Sequence, residues 1–202
     1  MSNRNTFPDL RRLEASALLH GGYFDRRSAL AHGLSDALLS YHTKTGRFVR
    51  VLLGVYRLAS APVSPVDEYF LAWLWTNRRG AISHESALAL YGLSDVVPSR
   101  VHVTVPRDVS RVSPPFILHR ARLDPDDIQI YRDIQVTTPE RSIIDAAATG
   151  SDPTQIRKAV REAIERALTT PARLRAAALT TGYRNERKRV RSILEAELTN
   201  VR

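Results

Sequence analysis

The chain contains no cysteine. Disulfides, thiolate zinc sites and a cysteine nucleophile are therefore excluded, and the absence fits a reducing cytoplasm. No apolar run approaches the length of a membrane span. The opening, Met1-Ser-Asn-Arg-Asn, lacks the apolar stretch of a signal peptide, so a cytoplasmic protein without membrane attachment is expected. Lysine is nearly missing, with only Lys44, Lys158 and Lys188, and arginine supplies the other basic side chains. There is no G-x-S-x-G, no phosphate-loop word, no dinucleotide fingerprint and no H-E-x-x-H run. The six histidines are scattered and form no i, i+4 pair, so neither a metal site nor a cofactor is expected. His102 and His119 fall on expected strands and read as ordinary, partly buried residues. Asp124, Asp126 and Asp127 offer carboxylates, but none of the three lysines falls nearby, as a metal-dependent nuclease would want. That stretch reads as a solvated turn, and the chain as a whole as no enzyme.

What is present points to a polyanion. The chain has 202 residues, 43% hydrophobic and 25% charged, which is the composition of a folded globular protein of one or two domains. Its net charge is +9 and its pI about 10.4, and nucleic acid is the default partner of so basic a protein. The charge is unevenly spread. Residues 1–61 carry +5, residues 62–150 carry −2 and residues 151–202 carry +6. The middle is thus built for something other than a polyanion.

The stretch Tyr23–Leu58 reads as the reading head. Asp25–His32 predicts a short helix, and Gly33 a tight turn where a residue without Cβ takes positive φ cheaply. Ser35 is placed to cap a second helix, Asp36–Thr45, which Gly46 ends. Phe48–Leu52 and Val55–Leu58 then predict a hairpin with Gly54 at its tip, a wing. On the second helix Leu38, Leu39, His42 and Thr43 share a face suited to the core. Asp36, Ala37, Ser40, Tyr41 and Lys44 share the face suited to the major groove. The DNA-binding candidates are Arg26, Arg27, Ser35, Ser40, Tyr41, His42, Lys44, Arg47, Arg50 and Arg57. Asp36 is a negative charge on the presumed DNA face. Phe7–Gly21 is expected to be the buttressing first helix, and the Pro-containing Ala59–Pro65 the domain linker.

The fold class expected is α+β: an N-terminal winged helix-turn-helix at 1–61, then a larger mixed α/β domain at 62–202 ending in helices. In that second domain Val66–Arg79 reads as a mostly buried helix, and Ser83 as the cap of another. Arg100–Val105, Phe116–Arg120 and Ile134–Thr137 read as strands. Thr138, Pro139 and Glu140 open a helix as cap, first-turn proline and dipole partner. Within it Arg141 is placed either to pair with Asp145 on an exposed face or to meet a partner. Helices are expected over Pro153–Leu168, Pro171–Thr181 and Asn185–Leu198. Arg184, Arg187, Lys188 and Arg191, with Arg141, are candidates for a partner or a second polyanion contact.

The chain resembles the AbiEi antitoxins of bacterial type IV toxin–antitoxin (abortive infection) systems. The words that carry the resemblance are GLSDALLSYHTKTGRFVRVLLGVYRL in the first domain. In the second they are GAISHESALALYGLSD, RVHVTVPR and IQVTTPERSIIDAA. The likeness covers nearly the whole chain, more loosely after Thr149, and rests on the set of words in this order. It implies a winged helix that binds inverted repeats in the promoter of its own operon. It also implies a larger domain that neutralises a nucleotidyltransferase toxin of the AbiEii class. One departure is visible. Where relatives carry several arginines, this chain has Ser40-Tyr41-His42 followed by Lys44. A stand-alone regulator with a ligand-sensing or dimerising second domain is the alternative.

Overall fold

The computed structural model describes residues 7–106, 115–180, 182–183 and 185–199. The fold is α+β, and the chain divides into two compact units. One runs to Arg79 and takes in Arg132–Ile134; the other holds Gly80–Tyr131 and the chain from Gln135 onward.

The first unit runs α1 (Leu10–Leu18), β1 (Tyr23–Asp25), α2 (Arg26–Ala31), α3 (Asp36–Lys44), β2 (Phe48–Leu52), β3 (Val55–Leu58) and α4 (Asp67–Trp75). Its sheet has the order β1-β3-β2, antiparallel throughout. This element order and pairing match a winged helix-turn-helix. Each helix of the trio starts on an oxygen cap: Asp9 accepts from Arg12 N, Asp25 from Ser28 N and Ser35 from Leu38 N. Gly33 turns the chain between α2 and α3 at φ +80°. The core is Leu13, Ala17, Phe24, Ala29, Leu34, Leu39, Phe48 and Leu58, with the Phe24 and Phe48 rings edge to face at 4.9 Å. β1 is too short to show alternation, and the sequence does not reveal it.

The boundary lies beyond the proline-containing linker. Asp67, at the start of α4, is buried and pairs with Arg57 at 3.6 Å. Arg57 also donates to the carbonyl oxygens of Ala61 and Pro62 at 2.8 and 2.7 Å, so this stretch is tied to the wing rather than free. The Phe70 and Trp73 rings of α4 pack on the His20 ring at 5.5 and 5.8 Å. Burial of this apolar helix against the winged core carries the unit to Arg79. Gly22 permits the close approach: at φ +84°, a Cβ there would stand 2.3 Å from the Ala61 Cβ.

The second unit holds a five-stranded sheet of order β6-β5-β4-β8-β7. The strands are β4 (Ala81–Ile82), β5 (His102–Val105), β6 (Ile117–Arg120), β7 (Ile128–Tyr131) and β8 (Ile134–Thr137). β4 runs antiparallel to β5 and parallel to β8, and β5 runs parallel to β6. The helices are α5 (His84–Tyr91), α6 (Pro139–Thr149), α7 (Pro153–Glu165), α8 (Pro171–Thr180) and α9 (Arg187–Leu198). α6 is the centre, buried from Pro139 to Ala148, with α5, α7, α8 and α9 packed around it. Its Ala-rich sequence lets neighbours approach closely. The sequence-predicted helix ends hold within a few residues; β4 and β7 went unread.

Thr138 caps α6 as expected, but its oxygen accepts from Arg141 N at a long 3.4 Å. Thr138→Ala is therefore expected to cost about 0.5–1 kcal/mol, the lower part of the range for lost caps. A urea-unfolding midpoint unchanged within error would show that Ser142, which bonds back to Thr138 O, holds the helix start alone.

Candidate nucleic-acid interface and partner surface

The two faces of α3 segregate as their spacing requires. Leu39 and His42 are buried and Leu38 and Thr43 half-buried, while Asp36, Ala37, Ser40, Tyr41 and Lys44 are exposed. Tyr41 leaves 59% of its surface in solvent. Lys44 follows one turn on. Arg27 and Arg50 are also exposed, and among the described residues no carboxylate pairs with Arg27, Lys44 or Arg50.

The remaining candidates divide. Arg26 holds Asp36 in a two-point contact of 2.6 and 2.6 Å, and this contact draws the Asp36 carboxyl below its ordinary value. The awkward negative charge on the outer face is thus neutralised within the unit. Arg47 holds Glu14 at 2.8 Å, and both are exposed enough to exchange partners with a phosphate. Ser35 spends its oxygen on the α3 cap.

Two candidates do not belong to the surface. Arg57 has only 14% of its side chain exposed and is committed to Asp67, Ala61 O and Pro62 O, since it points from β3 toward α4. His42 is buried against the Phe48 ring at 5.1 Å, and burial lowers its pKa. It lies on the i, i+3, i+4 face that packs inward.

In the second unit Arg141 is not on an exposed face. Its side chain is 8% exposed and bridges Asp145 at 2.7 Å and Asp127 at 2.8 Å, with Asp145 fully buried. Burial pushes the Asp145 carboxyl up to about 6 against the pull of Arg141. The Arg141–Asp127 contact joins α6 to the 3-10 turn Pro125–Asp127. The acidic turn is thus anchored by one of its three aspartates, while Asp124 and Asp126 stay exposed. Arg141 reaches one wall of a cleft of about 650 Å³ that His119, Arg120, Asp127 and Tyr183 also line. A second buried acid, Glu140, accepts from Thr169 at 2.6 Å and pairs with Arg173 at 2.9 Å.

Arg187, Lys188 and Arg191 are exposed on α9; Arg184 lies outside the described residues. Arg187 and Arg191 flank a groove of about 240 Å³ with Leu179, which is 70% exposed, and with the Arg175–Glu195 pair at 3.0 Å.

The histidines are not all scattered. His84, His102 and His119 converge, with ligand nitrogens all within 4.8 Å of one another. Burial is the main cause lowering all three pKa values, that of His119 to about 4. The only signal in the sequence was the two histidines on strands; their meeting depends on register.

The first unit sets a three-stranded antiparallel sheet against its helices, and the second surrounds a buried helix with a sheet and four more helices. The family model described as AbiEi antitoxin C-terminal domain matches residues 80–196, more than half the chain and nearly the whole second unit. The chain belongs to the AbiEi antitoxin family. Among solved structures, the Rv2827c protein of Mycobacterium tuberculosis is similar, with a TM-score of 0.57 at 13% identity. The match covers 98% of this chain and 80% of that one, and at this identity it speaks for the fold. No curated protein matches the chain. Among the described residues no helix is long and apolar enough to cross a membrane.

Proposed function

We propose that the chain is an antitoxin that also represses its own operon. The first unit binds double-stranded DNA at inverted repeats of the promoter. The second neutralises a cognate nucleotidyltransferase toxin of the AbiEii class, in the cytoplasm and without catalysis of its own. The observation that supports this most is the pairing, on one chain, of the family-matched unit with a winged unit whose exposed Arg27, Lys44 and Arg50 have no carboxylate partner among the described residues. α3 would lie in the major groove with Ser40 and Tyr41 at base edges and Lys44 on phosphate, while Arg50 on the wing meets phosphate or the minor groove. Arg26 and Arg47 would join by exchanging carboxylate for phosphate. The exposed α9 arginines and Lys188 are the surface offered to an acidic partner.

The two activities are expected to separate at the unit boundary. A fragment ending at Arg79 should retain weak promoter binding and fail to rescue cells expressing the cognate toxin. A fragment beginning at Gly80 should rescue and not shift promoter DNA. Rescue by the first fragment alone would overturn the division of labour.

A further inference from the structure

The strongest unassigned feature is the triple-histidine cluster in the second unit. His84 is the first residue of α5, and its backbone takes φ +53°, the left-handed region that a side chain rarely adopts. His102 and His119 sit on β5 and β6. In this parallel pair His102 lies opposite Ile117 and Thr104 opposite His119, so both histidines face the same side as diagonal neighbours. His102 Nδ1 and His119 Nε2 are 3.0 Å apart, and the His84 and His119 rings stack at 3.5 Å.

His84 is 1% exposed, and among the described residues its buried Nε2 has no hydrogen-bond partner. An orphaned imidazole nitrogen in a folded core is costly and calls for an occupant. Its other nitrogen, Nδ1, lies 2.9 Å from Ser83 Oγ, which accepts from Thr104 at 2.8 Å. With the ring proton on Nδ1 and donated to Ser83 Oγ, Nε2 carries a lone pair, as in ligating histidines whose other nitrogen is held by a hydrogen bond.

We propose that His84, His102 and His119 form a divalent transition-metal site suited to zinc. Three neutral imidazoles are a ligand set that zinc accepts, with Zn–N bonds of about 2.0–2.1 Å and a fourth position for water. Tetrahedral geometry then separates ligand nitrogens by roughly 3.3 Å. His102 and His119 already stand near that spacing. The His84 ring must turn out of its stack on His119 to aim Nε2 at the same point. His119 lines the 650 Å³ cleft, which gives the ion a route and the fourth position access to water.

The test uses the full chain without an affinity tag, stripped with a chelator and dialysed against micromolar Zn²⁺. Metal analysis is expected to return one zinc per chain, and Co²⁺ to give the visible absorption of a tetrahedral site. Zinc should raise the melting temperature. His102→Ala and His119→Gln should each weaken zinc binding by at least about tenfold and abolish that rise. The half-exposed position of His119 makes the second variant the safer for folding. His32→Ala, in the other unit, should bind as the parent does. No stoichiometric zinc in the parent, or equal binding by the folded His119→Gln chain, would overturn the site and leave the cluster as a hydrogen-bonded stack.

Discussion

Arg141→Ala is expected to destabilise the protein by about 3–5 kcal/mol at pH 8, because it strands the Asp145 carboxylate in the core. Asp145 is fully buried, with Arg141 2.7 Å away, and Arg141 is also the link from α6 to Asp127. An exposed i, i+4 pair, which the sequence alone suggests, would be worth only about 0.3–0.5 kcal/mol. Burial separates the two magnitudes. The deficit should also depend on pH. Asp145 titrates near 6 even with its partner, and without Arg141 its folded pKa rises further. A carboxyl raised above its unfolded value stabilises the fold at low pH and loses that contribution as pH climbs through the folded value. The Arg141→Ala loss should therefore be smaller at pH 5 than at pH 8. Arg141→Met combined with Asp145→Asn should recover part of it, since no buried charge remains. Denaturant midpoints at the two pH values decide the matter. A loss below about 1 kcal/mol at pH 8 would mean water reaches Asp145 through the cleft.

Replacing Arg27, Lys44 and Arg50 together by alanine is expected to weaken promoter binding on the order of tenfold to a hundredfold. If each side chain meets a phosphate, each lost contact lowers the log–log salt slope by about 0.9 on duplex DNA. The triple variant should melt like the parent, because none of the three takes part in an ion pair among the described residues. Asp36→Asn should act in the opposite sense. It releases Arg26 from its two-point contact and removes the negative charge from the outer face of α3. Tighter binding with a steeper salt slope is the expected result. Gel shifts across a salt series report both, and an unchanged slope in the triple variant would place the DNA on another face.

The first unit was readable because its signals are local. Gly33, Ser35, Gly46 and Gly54 sit where a turn, a cap, a stop and a hairpin tip need them, and the two faces of α3 follow from helical spacing. β2, β3 and β8 appear at their expected residues for the same reason. The Thr138-Pro139 start of α6 is likewise a matter of neighbouring backbone chemistry. Strands of two or three residues such as β4 and β1 carry too few side chains to show a period, and only pairing defines them.

What the sequence alone determined, then, is the set of local choices: the winged unit's helices and its β2–β3 hairpin, the sign and placement of charge, and the exclusion of thiol chemistry. What only the tertiary structure decided is which polar groups are enclosed. Arg57 and His42 turn inward because α4 and Phe48 cover them. Arg141 becomes a core cation because four helices bury α6. His84, His102 and His119 meet although up to 35 residues separate them, since strand register and a helix start, not spacing along the chain, set the distance between side chains.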